Sequence, residues 1–214
     1  MPTESDLKLL GNVRDKKLLE VGCGGGQCSI AFTKKGAVST GIDLSEKQIE
    51  FAKKLATKEK TNTDFIVDNA EKLSKIKTNS MDIAFSAYAL QYVNLRKCAK
   101  AVHRILKKNG IFVFSLQHPA WDMFEWGTTK VANSYFKKGL DVFEWDLGSG
   151  KRKAYTIRRT IQDMFEDITA AGFVVEKILE PLPVNKDKAH DFSYYKLEIL
   201  KIVPSTIIFK CRKL

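Results

Sequence analysis

Apolar and polar positions along this chain fall into two alternating kinds of segment. Short apolar runs near residues 17–21, 37–42, 63–67, 81–86 and 110–115 read as strands. The stretches between them, near 27–35, 45–59, 70–76 and 95–107, read as helices. Ser45 with Gln48 three residues on predicts a capping box at one helix start. Lys107 and Lys108 followed by Asn109 and Gly110 predict a helix stop. Strands separated by helices imply a parallel sheet with right-handed crossovers.

The alternation breaks after residue 116. Residues 117–155 hold Trp121, Trp126 and Trp145 and show no helical period. Asp146, Gly148 and Gly150 predict a hairpin turn between two short strands. A helix near 159–171, closed by Gly172, a strand near 173–179, an irregular stretch at 181–195 and a last strand near 204–212 complete the chain. Aromatic residues occupy 8 of the 39 positions in 117–155, which favours a substrate-enclosing lid over a satellite core. Both irregular stretches follow strands on one sheet edge, so they roof whatever binds there.

At 214 residues, one domain spanning 1–214 is expected. No apolar run reaches the roughly 20 residues of a membrane helix, and the amino terminus lacks a secretory signal, so a cytoplasmic location is expected. Cys23, Cys28, Cys98 and Cys211 have neither C-x-x-C nor paired metal spacing and read as free thiols, with no metal site. The net charge of +11 raises the question of nucleic acid. Residues 1–116 hold 20 basic and 12 acidic side chains, and 117–214 hold 16 and 13. The excess therefore lies on helix faces of the first half, where solvated faces are the simpler reading.

Chemistry concentrates at the end of the first apolar run. Leu18, Leu19, Glu20 and Val21 lead into Gly22, Cys23, Gly24, Gly25 and Gly26, and Asp43 ends the second run. A strand, a glycine turn open to close backbone approach, a helix and a second strand ending in an acid form a nucleotide cradle. The sixth position of G-x-G-x-x-G is Gln27, and Glu20 would repel a pyrophosphate. A nucleoside carrying a cation suits the position, and S-adenosylmethionine has a sulfonium, an ammonium and a ribose but no phosphate.

These residues resemble motif I of the class I S-adenosylmethionine-dependent methyltransferases, and Gly41-Ile42-Asp43-Leu44-Ser45 is similar to their second motif. Phe65 to Glu71, Ser80 to Gln91 and His103 to Ser115 resemble the third, fourth and later motifs. Beyond them, Ser115 to Pro119, Ser134 to Phe136 and Val203 to Phe209 resemble a small-molecule branch of the ubiquinone/menaquinone methyltransferase-like kind. The resemblance implies an α/β, Rossmann-like three-layer sandwich around a mostly parallel seven-stranded sheet with an antiparallel last strand.

The implied roles follow residue by residue. Gly22 and Gly24 lie against the methionine portion, with Glu20 acting on its ammonium. Asp43 accepts from the ribose hydroxyls, with Leu44 beside it. Asn69 and Ala70 hold the adenine, and the backbone at Ser86 contacts the methionine amino group. Asn69 stands where the family usually has Asp, so its bond loses charge assistance and modest cofactor affinity is expected. Only about 16 residues precede the first strand, which implies a truncated chain or a lid supplied from elsewhere.

The acceptor side is read from position. His118, fixed by Pro119 at the rim, is either the general base or a histidine satisfied by a neighbouring loop. Tyr88, Gln91 and Trp121 are the substrate candidates. Asp122, Glu125 and Glu144 read as solvated, and His103 and His190 as structural. The function expected is methyl transfer to a small-molecule acceptor by in-line displacement. The alternatives are a tRNA or rRNA methyltransferase and a non-catalytic S-adenosylmethionine-binding module. The insert's 6 basic and 5 acidic residues weigh against RNA. Nothing in the sequence selects an oligomeric state.

Overall fold

The computed structural model of the chain describes residues 4–125, 128–146, 151–182 and 197–214. In chain order the elements are α1 (Glu4–Leu7), β1 (Lys17–Val21), α2 (Gln27–Lys34), β2 (Val38–Asp43), α3 (Glu46–Lys58), β3 (Asp64–Val67) and β4 (Met81–Ala87). A 3-10 turn at Leu90–Tyr92 precedes α4 (Leu95–Ile105) and β5 (Leu106–Gln117), and a second one spans Trp121–Met123. Then come β6 (Gly139–Asp146), β7 (Lys151–Arg158), α5 (Ile161–Thr169), β8 (Phe173–Leu179), α6 (Leu197–Leu200) and β9 (Thr206–Lys213).

Seven strands form one sheet in the order β3-β2-β1-β4-β5-β9-β8. The five strands β1 to β5 pair in parallel, and β9 runs antiparallel to both β5 and β8. This is the expected architecture. Strand alternation divides the core between the two faces. Leu19, Ala84, Phe112 and Phe114 look toward α4 and α5, while Leu18, Ile83 and Val113 look toward α2 and the amino-terminal segment. On α4, Leu95, Cys98, Ala99, Val102 and Ile105 are buried, one stripe at helical spacing. Phe114 and Phe209 stack with centroids 5.2 Å apart across β5 and β9.

Three local expectations change. Residues 70–76 form turns instead of a helix. Buried Asp68 captures the N–H groups of Asn69 and Lys75 and the Ser74 hydroxyl, and Leu73 sits at φ 48, so no helical ladder can start. α4 ends at Ile105, before Asn109 and Gly110. Lys213 closes it by donating to the His103 and Leu106 carbonyls, and Asn109, at φ 63, lies where β5 slips register against β4. Only half of the Ser45 box forms: Ser45 Oγ accepts from Gln48 N, while the Ser45 N–H goes to Asp43. A complete box appears instead at Thr160 and Asp163, ahead of α5.

The insert builds a separate two-stranded sheet, with β6 and β7 paired from Gly139–Arg158 to Asp146–Lys151. The turn joining them, Trp126 and most of the 181–195 stretch, His190 included, lie outside the described residues. Arg158 fastens the hairpin to the body by pairing with Asp141 and donating to the Asp122 carbonyl. Among the described residues no helix is long and apolar enough to cross a membrane.

Phe209→Ala should lower the unfolding free energy by about 3–5 kcal/mol in urea titrations, because its fully buried ring leaves a cavity between β5 and β8. A loss below 1 kcal/mol would show that the sheet's antiparallel edge is not part of the main core.

Candidate active site

The carboxyl ends of β1, β2, β3 and β4 converge where the strand order reverses, the usual crevice of such sheets. The turn after β1 is pinned by two N–H groups, Gly22 and Cys23, that both donate to the Ile42 carbonyl at 2.8 Å. Gly22 sits at φ 73, and a Cβ there would fall 2.2 Å from the Ala89 Cβ. Gly24, at φ 49, is different: a Cβ there would meet no protein atom within 4 Å. One glycine serves internal packing, and the other presents bare backbone to the crevice.

Glu20 is buried, with 3% of its surface exposed. Its carboxylate accepts from the N–H and the hydroxyl of Ser29 on α2. Among the described residues no basic side chain pairs with it. Burial pushes its pKa from 4.5 to about 7, against the pull of the Ser29 and Cys28 bonds and with a further push from Asp43. Asp43 bridges two segments, accepting from Gly24 N and Ser45 N at 2.9 Å each. Each of its oxygens keeps a lone pair for a ligand hydroxyl. Two carboxylates with no cation partner among the described residues, flanking an open glycine backbone, fit a cationic nucleoside and disfavour a diphosphate.

The remaining expected cofactor residues stand on the same edge. Leu44 follows Asp43 and is 70% exposed. Asn69 Oδ1 accepts from Glu71 N at 2.7 Å, with Ala70 between them. Ser86 is fully buried and donates its hydroxyl to the Val21 carbonyl, so only its backbone can serve a ligand. The adenine-side loop is held from behind by Arg104, whose guanidinium donates to the carbonyls of Lys72, Leu73 and Ile76 and to the Thr78 hydroxyl. Sequence reasoning took Asp68 only as one polar residue of the third motif and missed Arg104, because a basic residue in a last helical turn reads simply as dipole compensation.

On the acceptor side, Tyr88 takes left-handed backbone at φ 54 and its hydroxyl pairs with Thr206 on β9. Gln91 donates to the Tyr92 hydroxyl at 3.1 Å. Trp121 is packed with Ile199 and Val203, the residue 6% exposed. His118 is buried at the end of β5. Its Nδ1 accepts from the Ala120 N–H at 3.0 Å, which leaves the proton on Nε2 to bind Glu180 at 2.7 Å. Asp122 corrects the solvated reading: it accepts from Gln117, and burial raises its pKa.

With this geometry in place, the family model described as a methyltransferase domain matches residues 19–114. Residues 19–114 are a methyltransferase domain by this match, and the fold around them is similar to that of S-adenosylmethionine-dependent methyltransferases. Over 97% of its length it is 28% identical to an uncharacterised protein of Haemophilus influenzae, covering 85% of that relative. Over 48% of its length it is 34% identical to a ubiquinone biosynthesis O-methyltransferase of Saccharophagus degradans, spanning 44% of that enzyme. In fold it matches an S-adenosylmethionine-dependent methyltransferase of Mesorhizobium loti at a TM-score of 0.79 and 23% identity, covering 97% of this chain and 95% of that one. The match to the ubiquinone enzyme is confined to about the length of the cofactor half, so the acceptor half of this methyltransferase has to be read from its own residues.

The raised pKa of Glu20 sets a sign. Its protonated form stabilises the ligand-free protein fully below about 4.5, and that contribution is lost as pH rises through about 7. The loss amounts to roughly 3 kcal/mol at 1.36 kcal/mol per pKa unit. Chemical denaturation from pH 4.5 to 8 should register this decline in the wild type and a flatter profile in Glu20→Gln. Parallel slopes in the two proteins would remove Glu20 as the titrating group.

Proposed function

We propose that this enzyme transfers a methyl group from S-adenosylmethionine to a small-molecule acceptor by in-line displacement. The observation that carries the reading is the buried, cation-free carboxylate of Glu20 beside the open backbone of Gly24. When bound, S-adenosylmethionine supplies a methyl carbon activated by its sulfonium, and displacement leaves S-adenosylhomocysteine. Gly22 and Gly24 would hold the methionine portion, with the Ser86 backbone at its amino group. Asp43 would take the ribose hydroxyls through its spare lone pairs, and Asn69 and Ala70 the adenine, with the exposed Leu44 side chain as an apolar neighbour.

The acceptor residues divide the remaining work. Tyr88 and Gln91 orient the acceptor at the mouth, Trp121 backs the wall, and the 117–155 insert shields the reaction from water. His118 is the candidate proton acceptor, and its bonds set a condition. Its Nδ1 becomes a free base only when the Ala120 N–H lets go, with Glu180 then stabilising the imidazolium through Nε2. An acceptor whose nucleophile is an O–H or N–H needs this step.

Calorimetry with S-adenosylmethionine and S-adenosylhomocysteine tests the cofactor reading. Both should bind, and Asp43→Ala should weaken each by roughly 10- to 100-fold, the worth of charged hydrogen bonds to a ligand. Absence of binding by either compound would overturn the reading. The cation should also drive a proton off Glu20, so affinity should tighten as pH rises to about 7 and then level.

His118→Ala should slow turnover by roughly 100-fold or more on an acceptor found by methyl labelling of a cell extract, while S-adenosylhomocysteine affinity holds. Near-wild-type turnover would remove His118 from proton transfer.

A further inference from the structure

A narrow cleft opens on the acceptor side of the crevice, enclosing about 260 Å³ including the part open to solvent. Leu116, Ile157 and Met164 supply apolar walls, and Gln91, Asp122 and Arg159 supply polar ones. Two of these polar groups are incompletely satisfied.

Arg159 is buried, 8% exposed, at the junction of β7 and α5. Its guanidinium donates to the Leu90 carbonyl at 3.1 Å and the Val93 carbonyl at 2.6 Å. Both acceptors are neutral, and no carboxylate among the described residues forms an ion pair with it. Asp163 and Asp167 attract it through space, yet Asp163 is engaged by Lys138 and Thr160 and Asp167 by Arg96. A buried cation held only by two carbonyls has its desolvation cost largely uncompensated. The second group is the buried Gln91 Oε1, which has no hydrogen-bond partner. Its own amide nitrogen is already turned to Tyr92. A fully buried acceptor without a donor calls for an explanation of its own.

The two demands are complementary. Arg159 asks for an anion with spare lone pairs, and Gln91 Oε1 asks for a donor, both at one cleft with apolar walls. We infer that the methyl acceptor carries a carboxylate, seated on Arg159, next to an O–H or N–H donor that Gln91 receives. The cleft takes the acid end, and the rest of the acceptor extends toward Tyr88. Asp122 does not compete for Arg159, because its carboxyl is turned to Gln117. This inference rests on the acceptor reading above and adds the chemical class of the acceptor to it.

Salicylate and salicylamide share shape and hydroxyl and differ in the charge that matters, so they serve as probes. The full chain saturated with S-adenosylhomocysteine should bind salicylate in calorimetry at least about tenfold more tightly than salicylamide, the scale of one charge-assisted contact. Arg159→Met should erase that preference and leave S-adenosylhomocysteine affinity within about twofold. Should Arg159→Met fail to fold, Gln91→Ala, which removes no clamp on the backbone, should weaken salicylate severalfold by itself. Equal binding of the two probes, or no salicylate binding while S-adenosylhomocysteine binds, would overturn the inference and reduce Arg159 to a brace for residues 90–93. Failure of S-adenosylhomocysteine itself to bind would instead overturn the cofactor reading on which this one stands.

Discussion

One buried carboxylate ties the site to the fold. Glu20 is the penultimate residue of β1, and its bonds to the Ser29 N–H and hydroxyl fix where α2 begins. The glycine turn between them is thereby held at both ends, by Ile42 on one side and α2 on the other. The carboxylate remains without a cation. A charge of this kind, kept out of water in a crevice, is unfavourable for the empty fold and favourable once a positive ligand arrives. The site's affinity for a cation and its cost to stability are two sides of one placement.

The same economy recurs along the edge. Asp43 joins the first turn to the start of α3, and Asp68 gathers the loop after β3. Arg104 braces that loop from α4, while Arg159 braces the loop after β4 from beyond the insert. The loops after β1, β3 and β4 are each held by a charged side chain from elsewhere in the chain, Asp43, Arg104 and Arg159 in turn. Backbone groups are left to meet the ligand, and side-chain charge does the positioning. Arg159 and Gln91 both line one cleft, and Gln91 Oε1 has no hydrogen-bond partner there among the described residues.

The parallel half was legible because its strands are short, apolar and separated by helices, and because Glu20, the glycines and Asp43 stand at fixed spacing. The misread places share one cause. Residues 70–76 have helical composition, yet Asp68 and Arg104 take their backbone groups from either side. At Asn109 a stop signal was present, but Lys213, distant in sequence, closes α4 four residues earlier. His118 is buried just after β5, and its bond to Glu180 came only with the packing of β5 beside β9 and β8.

Local patterning by itself thus determined the layer order, the cradle and the sign of its charge, because strand period, turn glycines and strand-end acids act over a few residues. Tertiary structure alone decided which acid is buried without a basic partner among the described residues, which loops are clamped, and that Arg159 and Gln91 share a cleft. Those outcomes depend on desolvation and on contacts between residues 31 to 110 positions apart, which no short-range pattern encodes.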